Sequence, residues 1–217
     1  MSVQMLQESV RQGMDGIVFT PHFYADQDSP ERFLQRRQDA VERLWPALDQ
    51  VPDCPQLLLG AEVHYYRGIG HSAALENFCI GNSNVVLIEM PFHPWSSSMV
   101  QDIEYVRTRL GLQVLIAHID RYLNQPDDYI EALRTDAGAL IQANADFFLT
   151  RRTRRKAIKM LERREIDLLG SDCHNMAERA PNLGYAVEYI ESKLGQTTLQ
   201  RIDRRGRAIF QVAAPRR

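Results

Sequence analysis

A chain of 217 residues is long enough for one domain with a substantial core and too short for two ordinary domains and a linker. Its 44% hydrophobic and 25% charged content excludes a disordered or fibrous protein, and a net charge of -2 removes any global attraction to nucleic acid or an anionic membrane. The three cysteines, Cys54, Cys79 and Cys173, stand at unrelated spacings, which excludes a disulfide framework or a zinc knuckle and fits a reducing, cytoplasmic compartment.

Residues 2–13 read as an amphipathic helix, without the continuous apolar core of a signal peptide. Asp15–Thr20 (DGIVFT) is the first candidate strand, followed by a long helix over about residues 30–50. Leu57–Val63 (LLLGAEV) and Val85–Glu89 (VVLIE) are strands, then a helix at 97–111, a strand at Gln113–His118 (QVLIAH) and a helix at 126–136. Ala139–Asn144 and Asp167–Asp172 (DLLGSD) are the last strands, flanked by helices at 151–164 and 183–194. The strand runs are almost continuously apolar, as parallel strands covered on both faces must be, and βα repetition of this kind makes a parallel sheet. No stretch approaches the roughly 18 apolar residues of a membrane span, and no repeat or Gly/Ser-rich linker interrupts residues 1–217, so one domain and no membrane insertion are expected.

In parallel α/β folds function gathers at the carboxyl ends of the strands. Here those ends carry His22, Glu62, Glu89, His118, and Asp172 with His174. Any one of these, taken singly, is more often a hydrogen-bonded loop residue than a ligand. Taken together they are confined to one rim, and imidazole with carboxylate is the ordinary donor set for a divalent ion with an open position, which is hydrolase chemistry.

Arg121 and Arg179 leave the same rim and offer paired donors for phosphate; without the neighbouring ligands they would read as surface salt bridges. Cys173, between Asp172 and His174, reads as a buried structural thiol. His64 is a group behind the ligands, His71 is surface, and Phe92 to Trp95 is either a pocket wall or a core-capping loop. The run Arg151-Arg152-Thr153-Arg154-Arg155-Lys156 opens a helix, where cations are unfavourable; an acidic or phosphorylated peptide would offset the repulsion, although solvated surface charge is the commoner account.

Thr20-Pro21-His22, Gly60-Ala61-Glu62, Leu87-Ile88-Glu89-Met90-Pro91, Ala117-His118 through Arg121-Tyr122, and Ser171-Asp172-Cys173-His174-Asn175 leading to Arg179 resemble, in order and spacing, the motifs of the PHP (polymerase and histidinol phosphatase) superfamily. Within it they resemble the bacterial tyrosine-protein phosphatases of capsular and extracellular polysaccharide synthesis. The resemblance implies an α/β, distorted TIM-like (βα)7 barrel and a metal-dependent phosphoric monoester hydrolase that removes phosphate from protein tyrosine by metal-activated water, without a cysteine nucleophile. It implies Glu62 bridging two ions, Glu89 and His118 completing the second, Asp172 on the first, His22 and His174 on the third, and Arg121 and Arg179 on the phosphate. Mn²⁺ is the implied ion, with Zn²⁺, Fe²⁺ and Mg²⁺ as alternatives, and the implied partner is a tyrosine autokinase or its phosphorylated tail.

The family's opening strand, with a His-x-His pair and an Asp-Asp-Gly loop, does not occur between Met1 and Arg217, so the barrel is expected to lack its first strand. On that reading the second ion keeps its ligands, the first loses a histidine pair, the third lacks a carboxylate, and the open flank is covered by another segment or a second copy of the chain. Ile119-Asp120 stands where the family usually has Pro-Glu. The rival readings are a phosphatase of a small ester such as histidinol phosphate, and an impaired protein that binds phosphotyrosine or a kinase tail without turning it over.

Overall fold

A computed structural model of the chain describes residues 1–213. Its elements follow in order: α1 (Ser2–Arg11), β1 (Gly16–Phe19), β2 (His22–Phe23), α2 (Pro30–Leu44), β3 (Gln56–Leu59), β4 (Glu62–His64), β5 (Val85–Glu89), α3 (Ser97–Leu110), β6 (Gln113–Ile116), α4 (Asp127–Thr135), β7 (Leu140–Asn144), α5 (Ala145–Leu149), α6 (Arg154–Glu162), β8 (Leu168–Gly170), α7 (Leu183–Leu194) and α8 (Gln196–Ala213). Every expected strand and helix is present within a few residues, except that 45–50 is a 3-10 turn after α2, where Pro46 cannot continue the hydrogen-bond ladder. β2, the short α5 and the long α8 are additions.

All strand pairs are parallel, in the order β2-β4-β5-β6-β7-β8, with β1 and β3 paired below β2 and β4. The Thr20-Pro21 and Gly60-Ala61 steps interrupt those two strands only locally. Gly60 N donates to Phe19 O at 2.8 Å and Glu62 N to Pro21 O at 3.0 Å, so the ladder carries on across both breaks. The sheet curls into a half barrel. Among the described residues no strand lies between β1 and β8.

Because side chains alternate along a strand, each strand sends one set outward and the other inward. Val86 and Ile88 of β5, Val114 and Ile116 of β6, Ile141 and Ala143 of β7, and Ala61 and Val63 around β4 join the larger core beneath the helices. Their neighbours Leu58, Val85, Leu87, Leu115 and Ala117 form a second cluster on the concave face. Ile209 and Phe210 of α8 pack on that cluster beside Val18, Leu140 and Leu168, while Arg207 pairs with Asp15 at 2.8 Å. The open flank expected from sequence is thus partly covered by the chain's own last helix. Above these side chains a cavity of about 780 Å³ leads to the upper rim, lined by Leu168, Ile209 and Phe210 below and His22, Glu62 and Asp172 above. Among the described residues no helix is long and apolar enough to cross a membrane.

At Gly170 the absence of a side chain makes room for Gln142: a Cβ there would overlap the side-chain amide of Gln142, which accepts from the backbone N–H of His118 at 2.5 Å. Gly170→Ala is expected to lower unfolding free energy by about 1–3 kcal/mol through overpacking. Urea denaturation beside a Ser171→Ala control measures this, and a Gly170→Ala protein of unchanged stability would contradict the packing described.

Candidate metal centre

The alternation that builds the concave cluster also builds the site above it. His22 follows Val18 at even spacing, Glu62 follows Leu58, Glu89 follows Val85 and Leu87, Asn144 follows Leu140 and Gln142, and Asp172 follows Leu168 and Gly170. All project into the concave space at its carboxyl rim. His118 has the opposite parity, since Val114 and Ile116 face outward. Its backbone adopts the left-handed region (φ 32°, ψ 61°), which turns the ring inward. Asp172 is left-handed as well, at φ 52°. Such conformations in non-glycine residues carry strain and cluster at functional sites.

The resulting contacts form a chain. His174 Nε2 faces His22 Nε2 at 3.5 Å, and His22 Nδ1 lies 3.7 Å from Glu62 Oε1. His118 Nε2 donates to Glu62 Oε1 at 3.0 Å and stands 3.3 Å from Glu89 Oε1. His64 Nδ1 donates to the other Glu89 oxygen at 3.1 Å. Glu62, Glu89 and His118 are buried, and ligand atoms of His22, Glu62 and Glu89 lie within 4.8 Å of one another.

Asp172 accepts from both Arg121 and Arg179, and from Asn144 Nδ2 at 3.1 Å. The arginines are therefore brought to one point beside the imidazoles. A short loop holds this geometry: His174 N donates to Arg179 O at 2.8 Å, and Asn175 Oδ1 accepts from the N–H groups of Ala177 and Arg179.

Two buried carboxylates side by side need compensating positive charge. Burial alone pushes the Glu89 carboxyl up, but hydrogen bonds from His118 and then His64 outweigh it and hold Glu89 down to about 2. Burial likewise opposes charge on His118, yet Glu62 and then Glu89 raise the imidazole to about 9. With no ion, His118 is the cation of the pair.

The donor set fits a divalent ion. Two atoms about 2.1 Å from a common ion stand roughly 3–3.5 Å apart, which is the spacing of His118 Nε2 to both glutamates and of the two facing Nε2 atoms. His174 Nδ1 is 2.9 Å from the Asp172 carbonyl, the outer hydrogen bond that fixes the tautomer of a metal-binding imidazole and leaves Nε2 free to ligate. His22 Nδ1 and His118 Nδ1 are buried without partners.

All of the expected ligands and both arginines thus meet at one rim. His64 stands behind Glu89 as expected, and His71 is exposed beside Arg109. Cys173 is half-buried, not buried, because the left-handed Asp172 breaks the strand's alternation at that point; the buried thiol is Cys79. Trp95 caps the core, its indole N–H donating to Pro91 O at 2.9 Å, whereas Phe92 is 56% exposed and packs on Tyr122. The Asp120 side chain accepts from Asn144 N at 2.8 Å, joining the 3-10 turn Ile119–Tyr122 after β6 to β7.

Three residues of the site were not anticipated. Gln142 and Asn144 hold His118 and Asp172, and the Tyr24 ring lies 5.8 Å from His22 and 5.4 Å from His64. The polar amides at alternate positions of an otherwise apolar β7 run were the available signal.

A family model described as capsular polysaccharide synthesis, CpsB/CapC, matches residues 1–208. The tyrosine-protein phosphatase CpsB of Streptococcus pneumoniae is 29% identical over 211 residues, covering 89% of this chain and 83% of the relative. The protein of the same name from Streptococcus agalactiae serotype III is 25% identical over 207 residues, covering 90% and 83%. Crystal structures of YwqE from Bacillus subtilis and CpsB from Streptococcus pneumoniae, described as unique metal-dependent tyrosine phosphatases, include a fold match with TM-score 0.82 and 20% identity over 100% of this chain and 88% of that chain. The chain belongs to the CpsB/CapC family.

His118 is raised above its ordinary 6.5, so its pairing with the glutamates stabilises the metal-free fold fully below about pH 6.5 and is lost as pH rises through about 9. The stability gap between metal-free wild type and His118→Gln should shrink across that window in urea titrations. A gap independent of pH between 6 and 10 would contradict a charged His118.

Proposed function

We propose that this member of the CpsB/CapC family hydrolyses phosphotyrosine on protein with the help of divalent metal, Mn²⁺ as the ion, acting as one domain in the cytoplasm. The observation that carries the reading is the meeting of buried Glu62, Glu89 and His118 with the arginine pair Arg121 and Arg179 at one rim. The names of the streptococcal relatives support the substrate class, and the three unpaired cysteines fit the compartment.

Glu62, in contact with both His22 and His118, would be shared between ions; Glu89 and His118 would complete the second, Asp172 would serve the first, and His22 and His174 the third. When bound, divalent ions supply positive charge to phosphoryl oxygens and lower the pKa of water. Arg121 and Arg179 would release part of their hold on Asp172 and turn their N–H groups to the phosphoryl oxygens, holding their charge while water adds to phosphorus and the electron pair of the ester bond leaves with the tyrosyl oxygen. Phe92 and Tyr24 stand at the rim as apolar faces for the aromatic leaving group. Cys173 has no part in bond making, and an autokinase or its phosphorylated tail is the proposed partner.

Phosphate release from a phosphotyrosine peptide should require Mn²⁺ and stop on chelation. Arg121→Ala and Arg179→Ala should each lower kcat/KM by about 10²–10³, while Cys173→Ser leaves it unchanged. Turnover that survives chelation, or that vanishes in Cys173→Ser, would rule the reading out.

A further inference from the structure

Arg151, Arg152, Arg154, Arg155 and Lys156 crowd the start of α6. Cations there oppose the helix dipole, and the first turn has no acidic residue to relieve them. Among the described residues none of the five forms an ion pair or a side-chain hydrogen bond. Arg154 alone has a partner, the Tyr189 ring at 5.7 Å. Some helix cations elsewhere do meet carboxylates, Arg32 and Arg36 with Asp28 and Arg205 with Asp167.

The topology puts this run on the rim of the metal centre. β7 ends at Asn144, whose side chain donates to Asp172, and α5 follows at once. Thr153 Oγ1 donates to Phe147 O and folds the basic run against α5. Asp146 of α5 accepts from Asn182, in the loop that carries Arg179. α6 then runs away from the rim, its far end held by Arg134 donating to Arg164 O at the end of α4. Arg151 is separated from Asn144 mainly by the short helix α5, so the distance is on the order of 15 Å, which an extended peptide spans in about five residues.

We propose that this basic run is a docking strip for a polypeptide substrate that carries acidic or phosphorylated side chains about five residues from the reacting phosphotyrosine. The proposal rests on the phosphotyrosine reading above and names the chemistry of its substrate. The strip supplies local attraction in a chain of net charge -2, and the occupant's negative charge relieves the repulsion at the α6 terminus. A polypeptide is favoured over other polyanions because the adjoining arginine pair and aromatic rim address a tyrosyl phosphate on the same strand of chain.

The test uses the full chain and a variant carrying Arg151→Ser, Arg152→Ser, Arg155→Ser and Lys156→Ser, all at exposed positions. Two phosphotyrosine peptides differ only in having three Glu or three Gln at that spacing, and p-nitrophenyl phosphate reports the chemistry. Wild type should favour the Glu peptide by on the order of tenfold in kcat/KM at low salt, losing the preference by about 0.5 M NaCl. The variant should show no preference while its p-nitrophenyl phosphate turnover is unchanged. Equal use of the two peptides by wild type, or a variant slowed equally on every substrate, overturns the proposal. Fluorescence anisotropy with the unphosphorylated Glu peptide reads docking without turnover. Docking that depends on the strip in a protein lacking phosphatase activity supports the strip and defeats the catalytic reading, whereas tighter strip-dependent binding of an RNA oligomer or anionic vesicles defeats the strip's assignment to polypeptide.

Discussion

Side chains on a curled parallel sheet alternate between a helix-covered face and a concave one, and in this protein the concave set changes character along each strand. Val85 and Leu87 give way to Glu89, Leu58 to Glu62, Leu140 to Asn144, and Leu168 to Asp172. The apolar part closes on itself and on α8. The polar part is left at the rim with water on one side and hydrocarbon beneath. Sheet curvature then brings ends that are distant in sequence within a few ångströms, as in the 3.0 Å contact of His118 with Glu62.

That arrangement sets the electrostatics. Carboxylates forced under the rim must be balanced, and without an ion the balance comes from His118 and His64 on one side and from Arg121 and Arg179 on the other. The imidazole proton of His118 occupies the place where a metal ion's charge would act, so ion binding and proton release are linked. The strain at His118 and Asp172 belongs to the same logic. Both residues depart from ordinary strand geometry at the rim, and at His118 the departure re-aims the side chain inward.

The rim also has two electrostatic zones. In one, each arginine is held by a carboxylate; in the other, at the start of α6, cations stand without partners among the described residues. The loop of Asn175 and Arg179 connects them through Asn182 and Asp146. A cluster of cations left unbalanced beside the site makes a surface suited to negative charge.

The six main strands were legible because each is a short apolar run, and the candidate ligands because they stand at the carboxyl ends of those runs. The resemblance in motif order then gave roles that spacing alone does not. α8 was not legible: its apolar positions Leu199, Ile202, Ile209 and Phe210 are spread among arginines, and only the tertiary fold buries them, the first two in the larger core and the last two against the concave cluster. Nor was the inward turn of His118, whose parity points outward until a left-handed backbone reverses it. The half-exposed Cys173 has the same cause at Asp172. The amino-acid sequence by itself determined the element types and which side chains share a face, since both follow from local periodicity. Only the tertiary structure decided that Asp172 binds both arginines, that Gln142 and Asn144 support the centre, and that the chain's last helix covers the flank, because each depends on contacts between segments far apart in the chain.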